Sequence, residues 1–242
     1  LVVNPLCREI TLSELTCTGY EDTEGGCWGG IYITVLKKNG GNENEAYKYL
    51  EEYYKDCKTP RLASMLGDWY HATYRDSLAL DCYDQAIELD RGYSPAYYGR
   101  AHIYQQMRRY DNYFSDIRHF LTDASLPAQG KAKYFEGLME MPQFIMAFQP
   151  EMDSLIAETG AVHPDDSILN NTVSLYYYGT GRKDSAVAAM QRNVTLYPDS
   201  YTIGFQYLLI RYYIEDWNGV VDYATVLLQK WPAMHDPLLV RA

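Results

Sequence analysis

Two histidines are the residues of this sequence that most readily suggest a metal site. His71 and His102 lie on neighbouring helical patterns, and Asp68 stands three residues before His71, on the same face of a helix. A protein metal site normally needs three or four ligands, and Asp68 is the one further candidate. The sequence also contains no Cys-x-x-Cys pair of the kind that binds zinc. We therefore predict no metal and no cofactor, and we interpret both histidines as solvent-exposed side chains.

A cysteine next to a tryptophan suggests a second kind of chemistry. Gly26-Cys27-Trp28 resembles the nucleophile helix of papain-like proteases, and His163 follows far downstream. A thiolate at the start of a helix would be activated by the helix dipole. However, the Cys-Gly-Ser or Cys-Gly-Ala that precedes this pair in those proteases is missing here. The sequence also lacks a glycine-rich phosphate loop and a serine nucleophile elbow, so we predict that the protein is not an enzyme.

The five cysteines leave the redox compartment open. Cys57 and Cys82 fall on predicted helices and are expected to be reduced, whereas a disulfide remains possible among Cys7, Cys17 and Cys27. No apolar run approaches the length that a membrane-spanning helix needs, so no such segment is predicted. The protein is expected to be soluble, and either cytoplasmic or, if a signal peptide has been trimmed, periplasmic or secreted.

Composition limits the class of partner. The formal net charge is -11, which argues against a nucleic acid ligand because phosphate backbones are bound by clustered lysine and arginine. An acidic surface is compatible with a neutral or basic protein segment. The 25 tyrosines are unusual, and a tyrosine combines a large apolar ring with a polar tip that suits half-buried helix faces.

The elements that carry these residues show a helical repeat. Residues 62–89 contain two amphipathic patterns, with Gly67 before Tyr70 in the first and Ala79 before Tyr83 in the second. Small residues of this kind allow two helices to approach closely, and aromatic rings fill the space beside them. We predict that Gly67 lies where two helices touch, so that leucine there would destabilise the fold while alanine would be tolerated.

The same pattern returns at a fixed spacing. Ala101 follows Gly67, and Tyr104 follows Tyr70, at one and the same interval along the chain. That interval also separates Pro198 from Pro232, two prolines that end helical patterns. A two-helix unit of this length, about 34 residues, with Leu-Gly-x-x-Tyr at 66–70 and Ala-x-x-x-Tyr at 79–83, resembles the tetratricopeptide repeat (TPR).

This resemblance implies an all-α fold, a right-handed α-solenoid of about six helix-turn-helix repeats of which the fourth is irregular. An irregular segment would occupy residues 1–26, and a single repeat domain would occupy residues 27–242. The run at 31–36 has strand propensity, but the repeat register favours a helix over 28–38. In the irregular repeat, residues 129–146 are predicted to form one helix that is kinked or broken at Pro142. The expected repeat boundaries are 27–59, 60–93, 94–127, 128–166, 167–200 and 201–234.

The resemblance also indicates where a partner would bind. In TPR proteins the first helices of successive repeats line a concave groove that takes an extended peptide or a partner's helix. The resemblance therefore implies a non-catalytic scaffold that binds a protein or peptide segment. The alternative is a sensory or accessory repeat domain of a longer protein whose enzymatic or DNA-binding part lies outside this sequence. The residues expected to line the groove, polar in the first half and aromatic in the second, are Asp68, His71, Tyr98, His102, Gln105, Asn171, Tyr178, Phe205, Leu209, Tyr212 and Tyr213.

Overall fold

The computed structural model describes residues 43–56, 58–234 and 237. The expected helix at 28–38, the irregular segment 1–26 and the cysteines at 7, 17, 27 and 57 lie outside these residues. The chain divides into two compact units, residues 1–120 and residues 121–242. The helices of the described part are α1 (Glu43–Asp56), α2 (Pro60–Ala72), α3 (Asp76–Leu89), α4 (Ser94–Gln106), α5 (Tyr110–Thr122), α6 (Ala128–Met139), α7 (Pro142–Ala147), α8 (Gln149–Val162), α9 (Ser167–Gly179), α10 (Lys183–Leu196), α11 (Tyr201–Tyr213) and α12 (Trp217–Lys230).

Helix pairs recur with one spacing in both units. In the pairs α2–α3, α4–α5, α9–α10 and α11–α12 the second helix begins at the same offset from the start of the first. The starts of α2 and α4 are separated by the same interval as the starts of α9 and α11, which is the TPR period of about 34 residues. The described part contains no strand. The prediction of an all-α fold of the helical-solenoid class, built from TPR-like helix pairs, is confirmed.

The irregular repeat differs from the others by one insertion. From the start of α6 to the start of its second helix, α8, there are more residues than between the two helix starts of a regular pair. The start of α9, by contrast, follows the start of α8 by as many residues as the start of α4 follows that of α3. The additional residues therefore lie between the paired helices, where the short helix α7 forms. Pro142 is at the start of α7, because proline lacks a backbone N–H and suits the first turn of a helix. Of the predicted kink or break at Pro142, the structure has a break, since α6 ends at Met139 and α7 begins at Pro142.

The turn inside each regular pair uses a left-handed backbone residue. Tyr74, Arg108, Gly181 and Glu215 have φ values of 60°, 58°, 78° and 66°. They occupy the same register position, close before the second helix begins. Glycine adopts this conformation without steric cost, whereas the other three side chains adopt it at a cost of about 1 kcal/mol.

A tyrosine wedge holds the first unit together. Tyr83 on α3 is almost fully buried, and its ring lies against Gly67 on α2 and Gly99 on α4. A Cβ atom added at Gly67 would stand 2.7 Å from the ring, closer than real carbon atoms approach. The ring cannot easily yield, because its hydroxyl donates a 2.6 Å hydrogen bond to Asp68. The predicted contact at Gly67 is thus present, and its closeness leads us to expect that alanine there is destabilising, in contrast to the sequence-based expectation that alanine would be tolerated.

An ion-pair network adds a second tie within the first unit. Arg100 on α4 donates from two nitrogens to the carboxylate of Asp116 on α5, each at 2.7 Å, and a third nitrogen reaches Asp84 on α3 at 2.5 Å. Asp116 is buried, so its charge needs this pairing. Cys82 is a free, buried thiol whose pKa is raised to about 11 by burial and by nearby carboxylates.

The second unit has a core of its own around the regular pairs. Tyr207 of α11 packs with Met190 of α10. Asn170 and Asn193 are both buried and join α9 to α10 through a 3.1 Å hydrogen bond between their side chains. Lys131 of the irregular repeat is fully buried, and its ammonium donates to the Asp123 carbonyl at 2.5 Å and contacts His163 at 2.8 Å.

Candidate functional site

Four exposed aromatic rings of the second unit lie in contact with one another. Tyr178 is 5.9 Å from Tyr213, Tyr213 is 5.9 Å from Tyr212, and Tyr212 is 5.6 Å from Trp217, measured between ring centroids. Their exposed fractions run from 39% for Tyr178 to 54% for Trp217. We call these four residues the aromatic edge cluster. Large rings are usually buried, so a connected group left open to solvent is the feature of this unit that most resembles a binding surface.

The helix ends position the rings. Tyr178 lies in the last turn of α9, Tyr212 and Tyr213 end α11, and Trp217 begins α12. One face of each first helix is used for packing, since Tyr176 and Tyr207 are fully buried. Residues that follow these buried positions are carried away from the core by the rotation of the helix, about 100° per residue. The cluster therefore lies where the first helices end and the turns begin.

Two arginine networks fix the turns beside the cluster. Arg182 contacts Asp153 at 2.6 Å, and the same carboxylate accepts a 2.6 Å hydrogen bond from the Tyr176 hydroxyl. In the last pair, Arg211 is bonded to Asp216 and to the Tyr207 hydroxyl. Burial raises the pKa of Tyr176, and the hydrogen bond to the Asp153 carboxylate raises it further. These contacts tie the turns to the neighbouring helices beside the cluster.

The equivalent edge of the first unit carries polar side chains instead. By the helix starts, His71 occupies the register position of Tyr178 and Tyr212, and Gln106 that of Tyr213. His71 contacts Asp76 at 2.8 Å through Nδ1 and the Gln106 amide at 3.4 Å through Nε2. The imidazole of His71 is thereby satisfied on both nitrogens by the chain itself.

Two more predicted residues lie near this polar edge. Tyr98 is half-buried between His102 and Phe120, with ring centroids 4.5 Å and 4.6 Å apart. Burial lowers the pKa of His102, and the positive charge that His71 can carry lowers it further. Within the described residues no group of three metal-ligating side chains comes together.

The remaining predicted site residues are placed differently. Phe205 stacks on Tyr201 at 5.9 Å and packs against the buried cluster that contains Leu208, so it lies apart from the exposed rings. Asp68 accepts from the buried Tyr83 hydroxyl while remaining exposed. Gln105, Asn171 and Leu209 are half-buried.

Sequence reasoning missed Trp217 as a site residue, because it begins a second helix and the expected groove lies on first helices. The available signal was its place at the first position of α12, where Asp76, Tyr110 and Lys183 stand in the other regular pairs. A large apolar ring at a position otherwise held by polar or amphipathic side chains indicates a surface residue and not a core residue.

Fold and surface together define a class, a TPR-like helical-repeat protein with exposed edges at its turns. None of the helices in the described part is long and apolar enough to cross a bilayer. No protein-family model and no curated protein sequence matches the chain.

Solved structures give distant matches. YrrB, described as a TPR protein with an unusual peptide-binding site, is 14% identical; the match covers 79% of this chain and 97% of YrrB, with a TM-score of 0.46. The TPR protein TTC0263 of Thermus thermophilus is 15% identical over 74% of this chain and 95% of its own, with a TM-score of 0.40. PilF of Pseudomonas aeruginosa is 16% identical over 75% of this chain and 80% of its own, with a TM-score of 0.38.

Proposed function

We propose that the protein is a non-catalytic scaffold that binds a segment of a partner protein, and that the aromatic edge cluster is the main contact surface. The single observation that carries the proposal is the connected exposure of Tyr178, Tyr212, Tyr213 and Trp217. Covering these rings would remove apolar surface from water, at roughly 25 cal/mol per Å². In the described part of the chain these rings stay exposed, so a partner that covered them would gain this stabilisation.

The composition of the cluster suits binding better than packing. Tyrosine and tryptophan are enriched at the energetic centres of protein interfaces, since they offer a large rigid area with few rotatable bonds. Their hydroxyl and indole N–H groups can also bond to a partner backbone. The four rings already touch, so little conformational freedom remains to be lost on binding.

The other predicted groove residues would extend this surface along the first helices. We propose that Asn171 and Leu209 contact the same segment in the second unit. In the first unit Asp68, His71, Tyr98, His102 and Gln105 would form a separate polar contact for a neutral or basic partner. The net charge of -11 supports such a partner and disfavours a nucleic acid.

The test is a peptide array probed with two proteins. One is the natural chain and the other carries Tyr178→Gln, Tyr212→Gln and Tyr213→Gln, which we call the triple glutamine variant. Glutamine is the residue of the equivalent positions 105 and 106 on α4, so it is compatible with a helix end of this fold. The net charge of the protein does not change.

We expect the triple glutamine variant to lose binding to the peptides that the natural chain selects, while its melting temperature stays within about 3 °C. Tyr74→Gln is the matched control, because Tyr74 is 94% exposed but belongs to no ring cluster in the described chain. That variant should bind every selected peptide normally. If the triple variant also does so, the aromatic edge cluster is not the binding surface.

A further inference from the structure

We infer that the aromatic edge cluster binds positively charged side chains, the arginines and lysines of a basic partner segment. This inference rests on the proposed function and narrows it to one chemistry. The rings would take guanidinium or ammonium groups on their faces, and nearby carboxylates would supply the complementary charge.

The cations beside the cluster are already engaged by groups of the chain itself. Arg211 is paired with Asp216, Arg182 is paired with Asp153, and Lys183 donates at 3.1 Å to the Ile214 carbonyl. Each of the two arginine pairs is neutral as a whole. The positive charge left at this edge is therefore that of Lys183.

Two carboxylates of the same edge have no such partner. Glu215 lies in the turn between Tyr213 and Trp217, and Asp184 follows Lys183 at the start of α10. Both are exposed, and neither forms an ion pair or hydrogen bond through its side chain within the described residues. The remaining charge at this edge is negative, which repels an acidic or phosphorylated segment and attracts a basic one.

Elsewhere in both units, arginines of this chain lie over its own aromatic rings. Arg182 lies over Tyr177 and Arg211 over Tyr207, each 4.7 Å from the ring centroid. In the first unit Arg75 lies 4.3 Å from the centroid of Trp69 and Arg109 lies 4.8 Å from that of Tyr104. Each of the four regular helix pairs thus stacks an arginine on an aromatic residue of its first helix.

The edge cluster offers the same kind of ring without the cation. Within the described residues, no arginine or lysine lies over Tyr178, Tyr212, Tyr213 or Trp217. Tyr212 is nearly perpendicular to both neighbours, at 71° to Tyr213 and 81° to Trp217. Non-parallel faces beside one another form a notch that can contact a cation from more than one side, as aromatic cages do.

The experiment uses calorimetric titration of the full chain with two defined decapeptides. The first alternates glycine and arginine, and the second replaces every arginine by citrulline, which has the same shape without the charge. We expect the natural chain to bind the arginine peptide at least about tenfold more tightly than the citrulline peptide. The triple glutamine variant should lose this preference, although its net charge is the same as that of the natural chain.

A second variant tests the carboxylates alone. Asp184→Asn with Glu215→Gln keeps the four rings and removes two negative charges from the edge. We expect this variant to bind the arginine peptide more weakly than the natural chain does. Its affinity should also fall less when salt is raised, because less electrostatic attraction remains for salt to screen. Unchanged affinity in this variant would contradict the role given to these two residues.

The outcomes separate this inference from the proposed function. Equal binding of both peptides by the natural chain, lost in the triple glutamine variant, would overturn the preference for cations and leave the binding surface intact. Arginine-peptide binding that survives in the triple glutamine variant would show diffuse attraction to an acidic protein and overturn the inference. If neither decapeptide binds but the array selects uncharged segments through the cluster, the inference fails alone. If the array also selects nothing through the cluster, both proposals fail.

Discussion

The edge formed by α2 and α4 in the first unit and the edge formed by α9 and α11 in the second share the same contact positions but differ in the residues at those positions. In each unit a residue at the end of one first helix contacts a residue 35 positions later, at the end of the next. That contact joins His71 to Gln106 in the first unit and Tyr178 to Tyr213 in the second. A contact across five positions also recurs, between His71 and Asp76 and between Tyr212 and Trp217.

This difference shows which properties the repeat determines and which it leaves free. Helix starts and turn conformation are the same in both units, and they determine which positions meet at the edge. The chemistry of the meeting residues then varies. In the first unit His71 finds polar partners within the chain, whereas in the second the four rings remain open to solvent.

The largest expected effect concerns the way the two cores are packed. The first unit uses the rigid wedge of Tyr83 between Gly67 and Gly99, while the register position of Tyr83 in the second unit is held by the flexible Met190 on α10 and by the small Ala224 on α12. We expect Gly67→Ala and Gly99→Ala each to lower the free energy of unfolding by about 1–3 kcal/mol, because the ring has no room to move. Urea denaturation followed by circular dichroism measures this.

The control for this prediction is Gly137→Ala. Gly137 is inside α6, and a Cβ atom there would meet nothing within 4 Å. Alanine at such a site should stabilise the helix by about 0.5–1 kcal/mol. If Gly67→Ala and Gly137→Ala were equally harmless, the wedge would not be a tight contact.

A smaller effect is expected at the turns, which the two units share. Gly181 and Arg108 occupy the same left-handed position, one as glycine and one as a residue with a Cβ. Gly181→Ala should cost about 1 kcal/mol, and Arg108→Gly should be neutral or slightly stabilising. Thermal melts of both variants test the equivalence. Opposite signs would show that the two turns do not have the same conformation in solution.

The smallest expected effect is a pH dependence specific to the polar edge of the first unit. The pKa of His102 is lowered in the folded protein, mainly by burial, so the unfolded chain binds a proton there more readily. The stabilisation from neutral His102 is complete above the unfolded pKa of about 6.5 and is lost as the pH falls through and below that value. His102→Gln should therefore show a smaller loss of melting temperature between about pH 7.5 and 5.5 than the natural chain. An identical loss in both proteins would contradict this.

Sequence reasoning could predict the helices, because small and aromatic positions such as Gly67 and Tyr70 repeat with the period of the fold. The break at Pro142 was equally predictable, since proline restricts the backbone locally. The sequence could not predict whether a surface ring packs against the core or stays exposed to solvent, because the outcome depends on neighbouring residues from other helices. Phe205 and Tyr212 lie on the same helix, yet Phe205 packs against the core while Tyr212 meets Trp217 at the edge.

The sequence also could not predict how closely the glycines approach the neighbouring ring. Gly67 could be assigned to a contact from its spacing, but Gly99 gave no signal of its own. That residue is required because the Tyr83 ring reaches across from α3 to α4 as well as to α2. Only the three-dimensional position of a ring shows how much room a neighbouring glycine leaves.

The most direct test of the central claim is the affinity of one array-selected segment for the natural chain and for the triple glutamine variant, with melting temperatures measured on the same samples. We predict that affinity falls at least about tenfold while the melting temperature changes by less than about 3 °C, since exposed rings contribute to binding more than to stability. Unchanged affinity would contradict the claim, and so would a melting temperature that falls as far as it does in Gly67→Ala, because the rings would then be part of the core.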